Sequence, residues 1–412
     1  MEGRQTVTPD NSRRRKIALL GAYDRFNYGD LLFPIIVGND LKRNHAELAI
    51  SIHALVESDL TQYGALATQS LRALYKKDGL QAGDVVVFAG GGIIGVDWTY
   101  MLKNLVGRTA NKALYYAQRL VGLGPVDQVC RFYFGAMAPF PWVAGPEDFP
   151  QPVMVAYNAV GGSEFATLSP LVQQKTLERL SKAAFLSVRD AETQRLLSPV
   201  QNKVPVHLAP DSAILMSEQF PLSTLEALAG TEVLQQTSGA PYICFQANFD
   251  YALRFENQII NALEAIYQSH GLRAVLLPIG RYVGLDDQFA LRKILERLKT
   301  PATMVSAQAN IWEIMLTIAR ANLFLGTSLH GNVTSQSFAV PHLGLSERPC
   351  KLDYYLATWD LPAQSRCIRL DESVDMAGKA LAIPTASRLE KRAELLGLSH
   401  GNFQKLADAC GI

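Results

Sequence analysis

The sequence predicts an α/β protein with two Rossmann-like, doubly wound domains that face each other across a cleft. Short apolar runs rich in Val, Ile and Leu alternate with longer amphipathic stretches, a rhythm typical of parallel sheets covered on both faces by helices. A polar segment at residues 217–240 interrupts this rhythm, which then starts again. The length of 412 residues fits two domains of ordinary size.

In the first half of the chain, the apolar runs are short and end in glycine or a charged residue, which predicts buried strands. These runs span residues 16–23, 48–55, 84–92, 152–162 and 183–190. Apolar residues at helical spacing predict helices at 30–41 and 168–182, and Asp30 is a suitable N-cap for the first of them. Strand, helix and strand in this order predict a parallel sheet.

The second half repeats the pattern. It predicts strands over residues 240–248, 272–280, 321–331 and 339–345, and helices over 255–270, 286–298 and 311–320. The predicted division of the chain is a flexible N-terminal tail (1–15), a first domain (16–220), a linker (221–240), a second domain (241–385) and C-terminal helices that pack back on the first domain (386–412).

The composition excludes several classes of protein. Lys plus Arg number 39 and Asp plus Glu 38, so the net charge of +1 argues against a nucleic-acid binder driven by bulk charge. The five cysteines include no Cys-x-x-Cys pair, which predicts buried thiols in a reducing compartment, and no His and carboxylate cluster has metal-ligand spacing. The basic N-terminal cluster precedes no apolar run, and no stretch reaches about 18 apolar residues. We expect a cytoplasmic enzyme without a metal or other cofactor.

Ligands of open parallel sheets lie beyond the carboxyl ends of the strands, so polar motifs at predicted strand ends are the candidate site. After the first strand, Asn27, Gly29 and Asp30 occupy positions that face a ligand, although a simple strand-to-helix turn capped by Asp30 explains them equally well. After the third strand, Gly90, Gly91 and Gly92 allow positive φ, and their amides can cradle an anion or a sugar oxygen. These glycines lack the Gly-x-Gly-x-x-Gly spacing and the P-loop lysine, which excludes nicotinamide and P-loop sites.

Two charged residues follow later strands of the first half. Arg189 offers a planar fork for phosphate or carboxylate, or it pairs with Asp190 or Glu192 at a helix start. Asp211 lies between apolar stretches, where a carboxylate is costly unless it is paired or useful. An ion pair with Arg189 and a catalytic role are equally consistent with its position.

The most informative motif is Gly326–Asn332, which ends a strand and starts a helix. A helix N-terminus presents free amides and the positive end of a dipole, which suits phosphate. His330 is placed there as a proton donor, and a bound anion would favour its charged form. Ser328, Gly331 and Asn332 accompany it as binding candidates, and the alternative is a histidine that only caps or packs.

These motifs, taken in order, resemble the polysaccharide pyruvyl transferase family over about residues 16–360. The resemblance is carried by N-Y-G-D after the first strand, the triple glycine, S-V-R-D, P-D-S-A and S-L-H-G, with Lys351 matching a lysine that follows the last motif. It implies a fold similar to GT-B glycosyltransferases, with the acceptor sugar on the first domain and the donor on the second. It implies transfer of pyruvate from phosphoenolpyruvate to two saccharide hydroxyls as a cyclic ketal, in cell-surface polysaccharide (exopolysaccharide) biosynthesis.

The same resemblance implies roles for single residues. His330 would be the acid that protonates the vinyl carbon of the donor, and Arg189 and Lys351 would bind its anionic groups. The reaction also needs a base that deprotonates the attacking hydroxyl, and Asp30 and Asp211 are the candidates for it. The expected partners are phosphoenolpyruvate and a saccharide acceptor, with a lipid-linked saccharide as one form of that acceptor.

Two positions depart from the family pattern, because Ser328 and Asn248 stand where the family has arginine. Each lost charge-assisted anion contact would cost about 1.5–3 kcal/mol if nothing replaced it. Arg254, Arg281 and Arg348 are the candidate replacements. The alternatives to pyruvyl transfer are a GT-B glycosyltransferase that uses a nucleotide sugar and a non-catalytic saccharide-binding relative.

The segment 97–149 is unusually basic and aromatic. Its cations Lys103, Arg108, Lys112, Arg119 and Arg131 are interleaved with tyrosine, phenylalanine and tryptophan. Such an amphipathic insertion is suited to an anionic membrane, which would make the protein peripheral to the inner face of the membrane, or to a lipid-linked saccharide. The alternative is a helical cap whose aromatic residues pack on the first domain.

Overall fold

The computed structural model describes residues 15–281 and 287–412. The predicted flexible tail at 1–15 lies outside the described residues apart from Arg15, and so does residue 286, where a helix was predicted to begin. The described residues form two parallel sheets flanked by helices, which confirms the α/β class and the two doubly wound units.

The first sheet has seven strands, and all its pairings are parallel. The strands are β1 (Lys16–Leu20), β2 (Ala49–Ala54), β3 (Gln69–Ser70), β4 (Val85–Ala89), β5 (Met154–Val160), β6 (Phe185–Val188) and β7 (Val206–Leu208). Their order in space is β3-β2-β1-β4-β5-β6-β7. Successive strands are added on one side of β1 up to β3 and on its other side from β4 onwards, so the topological switch point lies between β1 and β4. In a doubly wound sheet this switch point opens a crevice at the carboxyl ends of the two strands.

In the described part of the chain, nine α-helices accompany this sheet and the connection that follows it. They are α1 (Tyr28–Asn44), α2 (Trp98–Leu105), α3 (Arg108–Val121), α4 (Leu123–Phe134), α5 (Pro170–Leu180), α6 (Ala191–Leu196), α7 (Met216–Gln219), α8 (Leu222–Leu228) and α9 (Thr231–Gln236). The predicted linker at 221–240 is therefore largely helical. Leu225 and Val233 are buried there, so this polar segment still packs an apolar stripe against its neighbours.

The second sheet has five parallel strands in the order β10-β9-β8-β11-β12. They are β8 (Tyr242–Gln246), β9 (Arg273–Leu276), β10 (Ala302–Met304), β11 (Leu323–Gly326) and β12 (His342–Gly344). The helices that follow its strands are α10 (Phe249–Arg254), α11 (Glu256–His270), α12 (Asp287–Arg297), α13 (Ile311–Ala319), α14 (Leu329–Ser337), α15 (Lys351–Trp359) and α16 (Ser373–Leu381). The C-terminal helix is α17 (Thr385–Cys410). The switch point of this sheet lies between β8 and β11.

One apolar core runs continuously from the first sheet to the second through α1, α13 and α14. Polar contacts cross the same interface: Tyr28 and Thr334 share a hydrogen bond of 3.0 Å between their hydroxyls, and the Ser337 hydroxyl donates to the Ile214 carbonyl at 2.6 Å. The long C-terminal helix α17 packs against β5 and β6, where Asn402 Nδ2 donates to Asn158 Oδ1 at 2.6 Å. These contacts hold the two sheets in one relative orientation.

The insertion folds as α2, α3 and α4. Trp98, Met101, Val126 and Phe134 are buried in the core of the first unit, and Trp98 Nε1 donates to the Pro139 carbonyl at 3.1 Å. The inner faces of these helices therefore cover the first unit. This agrees with one of the two alternatives given for the segment 97–149, a helical cap whose aromatic residues pack on the first domain.

Helix α1 begins earlier than predicted, at Tyr28 and not at Asp30. Asn27 is its N-cap, so the prediction that Asp30 caps this helix is wrong. Asp30 lies in the first turn instead, where its carboxylate accepts a hydrogen bond from Asn27 Nδ2 at 2.8 Å. In this position the carboxylate faces the space beyond the strand ends.

Candidate active site

The two switch points face each other and enclose a cavity of about 290 Å³. Loops after β1 and β4 form one wall, and loops after β8, β9 and β11 form the other. The loops are joined directly, because Asn27 forms an antiparallel backbone bridge with Gly280 and the Tyr28 amide donates to the Ile279 carbonyl at 3.5 Å. The polar motifs selected from the sequence lie in or directly behind this cavity.

Arg189 lies at the base of the first wall with 2% of its surface exposed. Its Nη1 atom donates to Asp211 Oδ2 at 2.8 Å, and the side chain of Asp211 is fully buried. Asp190 instead caps α6, accepting from the Thr193 amide at 2.7 Å. The structure therefore favours the ion-pair alternative for Asp211, which does not line the cavity and positions the guanidinium that does.

The three glycines after β4 also belong to this wall. Gly90 and Gly91 have φ of 70° and 79°, which favours glycine, and a Cβ on Gly90 would lie 2.2 Å from the ring of Phe33. The Gly90 amide donates to the Asn158 carbonyl. Within residues 15–281 and 287–412, the amides of Gly91 and Gly92 have no acceptor, so they are available to an anion in the cavity.

Sequence reasoning missed a second arginine on this wall. Arg25 is 7% exposed and lines the cavity, and its Nε donates to Asp24 Oδ1 at 2.9 Å. The sequence feature that could have pointed to Arg25 is its place in the segment that also carries Asn27 and Asp30. Nothing in the spacing distinguishes Arg25 from an ordinary surface partner of Asp24.

His330 reaches the cavity from the N-terminus of α14, in the second unit, and lies against α1 of the first. Its ring meets Phe33 edge to face at 5.2 Å, and a Cβ on Gly29 would come within 1.8 Å of its Nδ1. Nε2 lies 3.7 Å from Asp211 Oδ2 and has no hydrogen-bond partner in the described part of the chain. Gly29 is therefore a packing requirement for the histidine.

The charge state of His330 follows from its surroundings. Burial lowers its pKa to about 4; the Asp211 carboxylate opposes this shift, while the charges of Arg189 and Lys351 reinforce it. The imidazole is therefore neutral at pH 7.

Asp30 and Lys351 complete the charged part of the site. Burial raises the pKa of Asp30 to about 6, although Lys351, Arg25 and Arg189 lower it. Lys351 stands at the first position of α15 and lines the cavity, where desolvation of its ammonium group and the Arg189 charge lower its pKa. Asp30 is thus the carboxylate of the predicted pair that faces the cavity.

The wall contributed by β8 and β11 is neutral where the family pattern has arginines. Asn248 Oδ1 accepts from the Tyr251 amide at 3.0 Å and Ser328 Oγ accepts from the Gly331 amide at 3.1 Å, so both residues serve as helix N-caps. Gln246 and Thr327 line the cavity beside them.

The expected replacements for the missing arginines are not found at the cavity. Arg254 and Arg348 are exposed residues outside its lining. Arg281 stacks on the ring of Phe26 at 3.8 Å and its guanidinium donates to the Ala309 carbonyl, so it joins the two units. Among the described residues, the cations of the cavity are Arg25, Arg189 and Lys351.

A second acid, also missed from the sequence, lies on the neutral wall. Asp287 is 2% exposed, and its Oδ2 accepts from the Gly280 amide at 3.1 Å. Its Oδ1 has no partner in the described ranges although the residue lines the cavity. Burial raises the pKa of Asp287 to about 7, against the hydrogen bonds that it accepts. In the sequence, Asp287 is the second residue of the helix predicted over 286–298, and nothing there indicates that it would be buried at a cavity.

Two further predicted residues lie behind the cavity. Asn332 is buried, and its Nδ2 donates to the Ser328 carbonyl at 2.8 Å. Gly331 allows α14 to pack closely, because a Cβ there would lie 2.2 Å from the ring of Phe324. These residues shape the turn that carries His330 and do not themselves line the cavity.

In the described ranges, one group of side chains has metal-ligand spacing: Cys350, Asp353 and Cys367, whose ligand atoms all lie within 4.8 Å of one another. The Asp353 oxygens already accept from the amides of Cys350 at 3.2 Å and Cys367 at 2.7 Å. The cluster thus has a structural explanation, as the cap of α15 that places Lys351.

Two parallel sheets whose switch points close on one cavity define a GT-B-like protein, and solved structures agree. UDP-GlcNAc 2-epimerase from Neisseria meningitidis bound to UDP-GlcNAc has 9% identity and a TM-score of 0.52, covering 96% of this chain and 100% of that one. The Methanocaldococcus jannaschii enzyme has 10% identity and a TM-score of 0.52, covering 90% and 92%. The N-terminal domain of Candida albicans trehalose-6-phosphate phosphatase has 12% identity and a TM-score of 0.50, covering 100% and 99%. Identities this low show a shared fold alone.

The sequence itself identifies the family more narrowly. The model of the polysaccharide pyruvyl transferase family matches residues 27–349, which is most of the chain. The chain therefore belongs to the polysaccharide pyruvyl transferase family, a family of transferases. No curated protein matches the chain in sequence.

The charges of the cavity predict the effect of removing Lys351. In Lys351→Ala, the pKa of Asp30 and the pKa of His330 both rise, because the ammonium group favours the carboxylate and disfavours the imidazolium. NMR titration of protein with ¹³C-labelled histidine and aspartate measures both shifts. Lys379→Ala, on the exposed surface of α16, should leave both values unchanged. A fall in either pKa would contradict this account of the site.

Proposed function

We propose that the protein transfers the pyruvyl group of phosphoenolpyruvate to two hydroxyls of a saccharide, forming a cyclic ketal and releasing phosphate. The observation that carries the proposal is the convergence of Arg25, Arg189 and Lys351 with the glycine amides on a cavity that His330 also enters. A carboxylate and a phosphate need such a set of cations and amide donors. Family membership supports the same reaction class.

The reaction needs an acid and a base, and the cavity offers both. A proton added to the methylene carbon of the enol ester makes the adjacent carbon electrophilic, and a saccharide hydroxyl attacks that carbon. The C–O bond to phosphate then breaks, and the second hydroxyl closes the ketal. The two hydroxyls lose one proton each. One of these protons replaces the proton that the acid gave to the methylene carbon, and the other is taken up by the released phosphate. We assign the acid to His330 and the base to Asp30.

Neutral His330 becomes an acid only when the donor is bound. The donor brings negative charge beside Arg189 and Lys351, the two cations that lower the pKa of His330. Their neutralisation, together with the direct effect of the anion, raises that pKa towards the working pH. Donor binding thereby prepares its own proton source, with Asp211 held 3.7 Å from Nε2 to favour the imidazolium.

The distribution of charge suggests how the two substrates lie. Two of the three cations belong to the first unit, whereas Gln246, Asn248 and Thr327 on the second unit offer amide and hydroxyl groups suited to sugar hydroxyls. We therefore place the donor against the first wall and Lys351, and the saccharide against the neutral wall with Asp287. This reverses the arrangement that the family resemblance implies.

The test is phosphate release by purified protein with phosphoenolpyruvate and a panel of p-nitrophenyl hexosides. Release should require both substrates, and His330→Ala should lower kcat about 10²- to 10⁴-fold, the usual contribution of a positioned acid. The descending pH limb of kcat should lie at higher pH than that of kcat/KM, because donor binding raises the pKa of His330. Unchanged release in the variant, or thermal stabilisation by nucleotide sugars and not by phosphoenolpyruvate, would refute the proposal.

Lys351 should act mainly on donor binding. Loss of one charge-assisted contact costs about 1.5–3 kcal/mol, so Lys351→Ala should raise the KM for phosphoenolpyruvate about 10- to 150-fold. The KM for the saccharide should change little, since the lysine lies opposite the neutral wall in the proposed arrangement. Lys379→Ala is the matched control. A larger effect on the saccharide KM would contradict the assignment of the two walls.

Substituting Gly29 tests the geometry of the site without removing any polar group. Gly29→Ala places a methyl group within 1.8 Å of the present position of His330 Nδ1, so the ring must move. A shift of about 1 Å at a catalytic group can cost on the order of 10²-fold in rate. Gly38→Ala lies in the same helix and meets only Leu19 at 3.9 Å, so it should keep full activity. Both variants should fold, since alanine is the better helix former; equal activities would disprove the role of the contact.

A further inference from the structure

The outer surface of the α3–α4 hairpin is unusually apolar. Of 18 large hydrophobic residues exposed in the described chain, ten lie between residues 100 and 137. Leu120 and Phe132 are 86% and 84% exposed. Apolar residues scattered singly on a surface need no explanation, but a concentration of this kind marks an interaction site.

These side chains follow the helical period. Tyr116 and Leu120 are four residues apart on α3, and Val129 is followed by Phe132 and Tyr133 on α4, so each set lies on one side of its helix. The neighbouring side of α4, which carries Val126, Cys130 and Phe134, is buried in the core of the first unit. We call the exposed side of these two helices the α3–α4 face.

The charged residues of the α3–α4 face indicate which kind of partner it would bind. Lys112 and Arg119 are exposed among the apolar residues. Across residues 108–134 the sequence has one acidic residue, Asp127, and its carboxylate accepts from the amide and hydroxyl of Thr99 at 2.8 and 3.1 Å. A second copy docked symmetrically would bring cations against cations, whereas a surface of anionic lipid would neutralise them.

We propose that the α3–α4 face binds the surface of an anionic lipid bilayer, with its aromatic and aliphatic side chains in the headgroup region and its cations at lipid phosphates. Amphipathic helices with basic and aromatic residues bind in this way, lying in the plane of the interface. No helix among the described residues is long and apolar enough to cross a membrane.

The position of α2 connects this face with the cavity. α2 packs against α4 and contributes Tyr100, Met101 and Asn104 to the cavity lining. A bilayer bound at the α3–α4 face would therefore be connected to the cavity lining through a single helix, α2. Resting on the proposed function, this favours a saccharide acceptor that is attached to a lipid.

Co-sedimentation with vesicles tests the proposal without any donor or acceptor, so its outcome is independent of the transferase activity. Wild-type protein should bind vesicles of phosphatidylcholine with phosphatidylglycerol, bind phosphatidylcholine alone more weakly, and lose affinity as salt screens the cations. The double variant Leu120→Ser and Phe132→Ser should lose about tenfold or more in affinity through lost apolar burial.

The matched control changes two exposed leucines elsewhere, Leu171→Ser and Leu228→Ser, which are 60% and 45% exposed. It should bind as wild type does, and melting curves should show that all variants are folded. Absence of binding to anionic vesicles overturns the proposal. So does equal binding by the two double variants, or light scattering that shows the Leu120 and Phe132 substitutions dissociating a dimer while vesicle binding is unchanged.

Discussion

The contact between Gly29 and the ring of His330 is the constraint on which the site depends. It joins the first turn of α1, in one α/β unit, to the first turn of α14, in the other, at a distance that leaves no room for a methyl group. Around it, the Tyr28–Thr334 hydrogen bond and a continuous apolar core fix the two helices together. Because both helices begin at strand ends, their docking brings two switch points to a single cavity. A loosened interface would separate His330 of the second unit from Asp30 of the first, which are the acid and the base of the proposed reaction.

The buried ion pair of Arg189 and Asp211 imposes the second constraint. Removing either partner would strand a charge in the interior, at a cost that typically exceeds the net stabilisation from the pair. Here the pair also has a directional effect, because Asp211 favours the charged form of His330 while Arg189 and Lys351 disfavour it. Burial has the largest effect and keeps the imidazole neutral at pH 7, and a ligand that neutralises the two cations would raise its pKa.

The fold and most of the cavity could be predicted from the sequence because strand ends carry local signals. Glycine runs, the N-Y-G-D turn and the S-L-H-G turn each lie within one short segment, and parallel topology then brings them to one edge. Arg25 and Asp287 could not be found in this way, since burial decides their importance and their neighbours come from distant segments. The cysteines at 350 and 367 show the same limit: ligand spacing in sequence says nothing about two side chains that meet only after folding. The helical connection at 221–240 was missed because polar composition outweighed a sparse apolar stripe.

Ser328 and Asn248 gain a physical meaning from the structure. An arginine side chain cannot accept a hydrogen bond, so it cannot cap a helix through its side chain as these two residues do. With serine and asparagine at these positions, the chain has two helix N-caps where the family resemblance implies two cations, and the side chains at these positions are neutral. The cations at the cavity are then Arg25 and Arg189 of the first unit and Lys351, while Asp287 adds an acid to the neutral wall. A multiply charged donor is most favourable where cations and free amides are concentrated, and a polyhydroxyl acceptor is most favourable against amides, hydroxyls and a carboxyl group. Under the proposed function, the neutral side chains at these two positions therefore favour a changed placement of the substrates over a loss of anion binding.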